Sequence, residues 1–508
     1  MIPFKQNNEI TYDDKELMEE NVFVGAEAED TEIPDFDSVR SSLPQPIWNN
    51  HTDYIDCYWK AWKIAFSNLR KPKEGTGFVT NYIDAAFNGC IFMWDSAFML
   101  MFGKYADRIF KFQKTLDNFY SHQHVDGFIC RQIEEETGCD VFARHDPSST
   151  GPEVLAWCEW DYFLNFGDKE RLGRVYPCLV AYHQWMQEHF TWRDGTYFSS
   201  GYGCGMDNCP RLDEKYHVCY SHGHMVWVDA CMQELNACNI LIKMSEILGR
   251  KEFIPELTAE RDKLFKVINE KLWDEKTKFY YDLKDDDTFN GVKHIGAFWS
   301  LLAKCVPEDR KDDFIAHLDN ENEFKTTHRV PTLSKDHEEY NPAGGYWCGS
   351  VWSPTNYMVL KGLDGYGEYN LSHEIAVSHL DAVVSVFKNR DTLFENYAPE
   401  LVDGIFEKGS SSMGDFVGWT GLSPISIMFE YVFGIKPDAA KNKITWHVNL
   451  LEKHGVEKYP FGTDGELTLI CEERKSEDEK PQITIKSNIP VEVEIIWNKE
   501  QNSEVISF

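Results

Sequence analysis

Along most of the chain, apolar residues recur at steps of three and four, the spacing that gathers side chains on one face of a helix. Residues 106–122 show it plainly: Ile109, Phe112, Leu116, Phe119 and Tyr120 fall on a single stripe. The same period runs through 52–70, 92–103, 152–167, 169–190, 225–249, 251–273, 294–304, 308–318, 351–362, 368–390 and 419–433, so about twelve helices are predicted. Gly167-Asp168 and Gly249-Arg250 are connections short enough to make antiparallel neighbours. Some segments, such as HMVWVDACMQELNACNILIKMSEIL, are apolar nearly all round and suit an inner position; others keep a polar face. Six hairpins of this kind predict two concentric rings, a mainly α fold of the (α/α)6 barrel or toroid type. From about 438 the period falls to two. KITWHV, ELTLICEE, QITIKSN and VEVEIIWN alternate apolar and polar residues and predict short antiparallel strands. The expected division is an acidic N-terminal arm or cap over 1–45, a helical barrel over 46–437 and a small β-sandwich-like module over 438–508.

Composition narrows the function. The chain has 508 residues, 42% of them hydrophobic and 14% aromatic, which excludes intrinsic disorder and permits a large core. Lys and Arg number 51 against 84 Asp and Glu, a net charge of −33. That excess argues against nucleic acid or an anionic membrane as partner, because phosphates demand a cationic footprint. It suits a neutral or small polar substrate. No apolar run approaches the ~20 residues of a membrane span. The opening MIPFKQNNEITYDDKELMEE lacks the apolar stretch of a signal peptide, so a cytoplasmic location is expected. The 14 cysteines contain no C-x-x-C; the nearest pairs are Cys204 with Cys209 and Cys231 with Cys238. They read as small buried residues in a reducing compartment, without a zinc motif. No metal and no cofactor is expected. His122-x-His124 and His222-x-His224 do not present both rings to one side of a helix. Gly201-x-Gly203-x-Gly205 lacks the spacing of a nucleotide loop.

The chemistry gathers in the loops between helices, where a rigid scaffold can hold functional groups. Met93-Trp94-Asp95-Ser96, Asp126 to Gln132, Ser200 to Arg211, Gly344 to Pro354, Leu393 to Tyr397 and Gly414 to Trp419 set carboxylates beside aromatic rings. Sugars ask for this mixture: their C–H faces stack on rings and their hydroxyls pair with carboxylates and amides. Cleaving a glycosidic bond then takes two carboxyl groups, one protonated and one ionised.

Four segments carry a family likeness: FMWDSAF at 92–98, SGYGCGMDNCPR at 200–211, GYWCGSVWSPTNY at 345–357 and FENY at 394–397, with GDFVGWTGL at 414–422 as a weaker fifth. As a set they resemble the inverting α-glycosidases of glycoside hydrolase families 63 and 37. Those include mannosyl-oligosaccharide glucosidases, mannosylglycerate hydrolases and trehalases. The resemblance implies an α/α barrel of six helix pairs. It also implies a general acid at Asp207, a general base at Glu395, and a carbohydrate substrate held by Trp94, Asp95, Arg131, Gln132, Arg211, Trp347, Gly349, Trp352, Tyr397 and Trp419. Tyr397 is expected to orient Glu395 by hydrogen bonding, and Glu400 is a second candidate for the base. The expected activity is inverting hydrolysis of an α-linked glucoside or mannoside, with α,α-trehalase as the alternative. A sugar epimerase or a non-catalytic carbohydrate-binding protein on the same barrel is the reading from a different class.

Overall fold

The computed structural model describes residues 21–29, 31–499 and 501–507. Of the acidic arm expected over 1–45, residues 1–20 lie outside the described residues. The part within them packs on the helical region: the Phe23 ring lies 5.3 Å from Tyr120, and Asn21 Nδ2 donates to the Tyr120 carbonyl.

Besides the four-residue helices Phe36–Val39 and Gly201–Cys204 and several 3-10 turns, twelve helical segments make up the helical region among the described residues. They are Thr52–Ser67, Met93–Gly103, Thr115–Ser121, Leu155–Phe166, Lys169–His189, Val228–Leu248, Ile254–Lys271, Trp299–Leu302, Glu308–Ile315, Ser353–Gly365, Tyr369–Arg390 and Ser423–Val432. They are of two kinds. All of Met93–Gly103 and all of Ser423–Val432 are buried, whereas Ile254–Lys271 buries only Leu257, Glu260, Leu264 and Ile268. A helix apolar on every side needs cover on every side; one with a single apolar stripe covers something else. The last helix packs against the first and second, with Ser426 Oγ donating to the Met101 carbonyl, so the helical region closes on itself.

Local chemistry makes the short hairpins. Leu155–Phe166 ends on Gly167 in the left-handed region at φ 69°, and the next residue, Asp168, accepts from Arg171 N–H at 2.9 Å to cap the following helix. One prediction fails in detail. The stripe over 106–122 is not one helix: only Thr115–Ser121 is α-helical, preceded by 3-10 turns at Lys104–Ala106 and Phe112–Lys114. The Asp107 carboxylate accepts from Gln113 N–H at 3.0 Å, a side-chain turn that competes with the helical bond.

The C-terminal strands form two four-stranded sheets. In one, Gln45–Trp48, His454–Phe461, Gly465–Cys471 and Ile483–Ser487 run antiparallel in that order. In the other the order is Asn502–Ser507, Glu492–Trp497, Lys443–His447 and Ile435–Asp438. Here Lys443–His447 and Glu492–Trp497 pair parallel, which corrects the all-antiparallel expectation. The edge strand Gln45–Trp48 comes from ahead of the first long helix, a pairing no local pattern announces.

Candidate active site

The cavity sits at the N-terminus of the buried helix Met93–Gly103, among the loops that carry the other motifs. Strand Cys90–Phe92 pairs with Gln132–Glu134, Phe92 opposite Gln132, and the Met93 N–H donates to the Arg131 carbonyl at 2.8 Å. This pairing sets Trp94 and Asp95, in the first turn of Met93–Gly103, beside Arg131 and Gln132. Opposite, the turn Gly201–Cys204 is capped by Ser200 and ends on Gly205 at φ 75°. A Cβ on Gly205 would stand 3.2–3.3 Å from the Trp94 indole, so glycine serves both the turn and the contact. Asp207 follows two residues later.

Asp207 and Glu395, 188 positions apart in sequence, share this cavity of ≈ 230 Å³. Trp94, Asp95, Arg131, Gln132, Trp347 and Trp419 line it with them. So do Phe87, Asn88, Phe92, Phe142, Tyr202, Gly205 and Tyr346, which the sequence reading did not assign to binding. Phe92, Tyr202, Gly205 and Tyr346 lie inside motifs already singled out; Phe87, Asn88 and Phe142 lie outside them and carried no signal.

The base candidate is pinned by its backbone. Glu395 N–H donates to the Met413 carbonyl at 2.9 Å, and Trp419 Nε1–H donates to the Glu395 carbonyl at 2.8 Å. Its carboxylate accepts from the Tyr346 hydroxyl at 3.0 Å. The orienting tyrosine is thus Tyr346, not Tyr397. The Tyr397 hydroxyl accepts from Phe394 N–H inside the core, and the residue does not line the cavity. Asn208 ties the two motif loops together. Its Nδ2 donates to the Gly345 carbonyl at 3.0 Å and its Oδ1 accepts from Trp347 N–H at 2.8 Å.

Four further expectations are corrected by placement. Arg211 is 2% exposed and does not reach the cavity. Its guanidinium bonds Asp229 and Asp282 at 2.6–2.9 Å and lies 4.0 Å over the Trp227 ring, so its donors are spent on holding the Asp207 loop. Trp352 is buried behind the lining residue Trp347, stacked on it at 4.0 Å and 6°. Gly349 is buried against Tyr340 and Asn341. Glu400 accepts from Lys335 Nζ and Thr327 Oγ1, both at 2.7 Å, outside the cavity, and these partners hold its carboxyl below the usual range.

Burial dominates the electrostatics. It pushes the Asp207 carboxyl up to about 6, against the pull of Arg131. It pushes Glu395 up to about 7; Tyr346 and the Met413 contact work against the rise, and the charge of Asp207 adds to it. Asp95, 4% exposed, is raised well above the carboxylate range by burial, Arg131 opposing. Three acidic groups therefore share one cation. Trp94 Nε1 and Asp95 Oδ1 are buried without a hydrogen-bond partner, an unpaired donor and an unpaired acceptor at the cavity wall. Unpaired groups of this kind are costly unless a ligand's polar atoms complete them.

Paired carboxyls of raised proton affinity between aromatic walls, with a donor and an acceptor left open, are what a glycoside hydrolase requires. Comparison with known proteins makes this specific: residues 91–409 match the mannosylglycerate hydrolase MGH1-like glycoside hydrolase domain, and the chain belongs to that family. An uncharacterized protein of Borreliella burgdorferi is 26% identical over 446 residues, 84% of this chain and 90% of its own. A probable mannosyl-oligosaccharide glucosidase of Schizosaccharomyces pombe is 24% identical over 296 residues, 51% of this chain and 34% of that protein. Among solved structures, a GH63 mannosylglycerate hydrolase from Thermus thermophilus in complex with glucose superposes with a TM-score of 0.57. It is 19% identical, over 72% of this chain and 99% of that one, and shows the fold. The protein is a glycoside hydrolase with a carbohydrate substrate. No described helix is long and apolar enough to cross a membrane.

Proposed function

We propose that the protein hydrolyses a small α-linked glucoside or mannoside, Asp207 acting as general acid and Glu395 as general base. The observation that carries this reading is the meeting of the two carboxyls, from loops far apart in sequence, in one aromatic-walled cavity. Its ≈ 230 Å³ lies below the ~300–1,000 Å³ of pockets that enclose drug-sized ligands, which favours one terminal sugar and a small aglycone over a long oligosaccharide. Trp94 Nε1 and Asp95 Oδ1 pair with the hydroxyls of that sugar, and Arg131 with a polar or anionic aglycone.

The proton affinities bear on the roles. Glu395 at about 7 lies above Asp207 at about 6, the reverse of the order that a base and an acid require. Between those values the pair holds one proton. A glycosidic oxygen seated against Asp207 accepts a hydrogen bond only from its protonated form, and sugar hydroxyls donating to Glu395 favour its ionised form, so substrate binding moves the proton to the acid. Water on the opposite face then loses a proton to Glu395 as it attacks the anomeric carbon. The bond to the aglycone breaks, and Asp207 protonates the leaving oxygen.

The fold reading that accompanies this function is an (α/α)6 toroid of outer and inner helices over roughly 46–437, with a β-sandwich-like module over 438–508 that recruits Gln45–Trp48. The fourteen free thiols fit a reducing, cytoplasmic setting.

The test is a hydrolysis screen with α-glucosides, α-mannosides, mannosylglycerate and trehalose, read by NMR in the first minutes. The expected result is turnover of one small α-glycoside with the β-anomer formed first. Turnover of trehalose alone would move the assignment to trehalase. Binding without turnover across the panel would overturn it in favour of a carbohydrate-binding protein, and an initial α-anomer would overturn the assigned mechanism.

A further inference from the structure

On the wall of the helical region, away from the catalytic cavity, three helices bring together His183 from Lys169–His189, Cys238 from Val228–Leu248 and Glu260 from Ile254–Lys271. All three residues are buried. His183 Nε2 lies 2.9 Å from Glu260 Oε2 and 3.5 Å from Cys238 Sγ, and the nitrogen, sulfur and oxygen all fall within 4.8 Å of one another. Behind the ring, Glu234 Oε2 stands 2.8 Å from His183 Nδ1, at ion-pair distance but without hydrogen-bond alignment. The other oxygen of Glu260 accepts from the Tyr197 hydroxyl.

The cluster carries more acid than base. Glu153 and Glu234 are 3% and 1% exposed, and Glu153 Oε2 has no hydrogen-bond partner. With Glu260 they make three carboxyl groups around a single imidazole. One nitrogen, one thiol sulfur and one carboxylate oxygen converging from three rigid elements make a borderline-soft donor set, of the kind zinc prefers. A carboxylate behind Nδ1 is the partner that fixes a ligating histidine with its Nε2 lone pair outward. A second cavity, of ≈ 390 Å³, has Glu260 in its wall together with Glu256, Trp192 and Lys263, so one of the three proposed ligands borders open space.

We infer that His183, Cys238 and Glu260 bind one divalent transition-metal ion of the zinc type, with Glu234 and Tyr197 orienting the ligands. The ion ties three helices of the wall together and takes no part in the hydrolysis. Binding releases the Cys238 thiol proton, and any proton on His183 Nε2, to solvent, with no change of oxidation state.

The full-length chain, stripped with a chelator, is titrated with Co²⁺ while the thiolate-to-cobalt charge-transfer absorption is followed; Zn²⁺ is then added in competition. One Co²⁺ per chain, a charge-transfer band and its displacement by one Zn²⁺ are expected. Cys238→Ser is expected to lose the band. Glu234→Gln is expected to keep it with ~10–100-fold weaker binding, the loss typical of a partner behind a ligand. The wild-type titration needs no variant to fold. If the wild-type chain takes up neither ion at stoichiometry, the cluster is an imidazolium held between carboxylates and the inference falls. It falls equally if Cys238→Ser keeps the band.

Discussion

At the scale of single residues, the site turns on how each carboxyl is surrounded. Asp207 and Glu395 are both pushed up by burial, while Glu400, just beyond the base motif, is held down by Lys335 and Thr327. Asp207→Asn and Glu395→Gln are expected to lower kcat by ~10²-fold or more with an unchanged circular dichroism spectrum, as removal of an acid or base does. Glu400→Gln is expected to stay within about twofold of wild type, since its carboxylate lies outside the cavity. A larger loss for Glu400→Gln than for Glu395→Gln would reassign the base. Tyr346 gives a sharper test. Its hydroxyl donates to the ionised Glu395, so removing it raises the proton affinity of Glu395. For the wild type, kcat/KM is expected to be bell-shaped in pH with its maximum between about 6 and 7, where the pair holds one proton. In Tyr346→Phe the alkaline limb should move to higher pH and the maximum fall by about tenfold, because more of the single proton then resides on Glu395. An unmoved profile would show that Tyr346 does not act on Glu395.

At the scale of elements, the loops that carry the proposed acid and base are held by residues that do not line the cavity. Arg211, read from the sequence as a substrate contact, is the anchor of the Asp207 loop through Asp229 and Asp282. Asn208, beside the acid candidate, clamps the 345–347 backbone and so sets the distance between Asp207 and the Tyr346–Glu395 pair. Asn208→Ala removes both bonds. It is expected to cost about 1–3 kcal/mol in thermal stability, the penalty of leaving buried partners unpaired. A fall in kcat of ~10–10²-fold with KM changed less is expected alongside, the sign of misplaced catalytic groups rather than lost binding. Steady-state kinetics and calorimetry on the same preparation separate the two effects.

At the scale of the whole molecule, the cavity opposes the stability of the fold that holds it. Glu395 has a higher proton affinity folded than unfolded, rising from 4.5 to about 7. Between those values the folded state binds more protons than the unfolded one, so this group's contribution to stability falls as pH rises through that window. Removing the charge should restore what was lost. Glu395→Gln is expected to be more stable than wild type at pH 8, by at most about 3 kcal/mol, and the difference should vanish near pH 4. Chemical denaturation at both values checks this, and a constant difference would show that packing, not charge, is responsible.

The sequence by itself carried the periodic elements and the chemistry written in contiguous motifs. Helix positions were legible because a buried stripe leaves its 3.6-residue period in the chain, as in Ile254–Lys271 and Tyr369–Arg390. The period misled where a side chain offered the backbone a competing bond, as Asp107 does at Gln113. Asp207, Glu395, Trp94 and Trp347 could be named because their residue types sit in recognisable segments. What those neighbours do was decided elsewhere. Whether Arg211 faces a sugar or Asp229 and Asp282, whether Trp352 lines the cavity or backs Trp347, and which tyrosine reaches Glu395 all depend on partners up to 71 positions away. The parallel pairing of Lys443–His447 with Glu492–Trp497, the strand Gln45–Trp48 at the edge of a C-terminal sheet, and the convergence of His183, Cys238 and Glu260 are likewise products of packing. A residue's type and its local period are stored in its immediate neighbourhood, but hydrogen-bond partners, burial and proton affinity belong to whatever the fold brings against it, and only the closed molecule determines that.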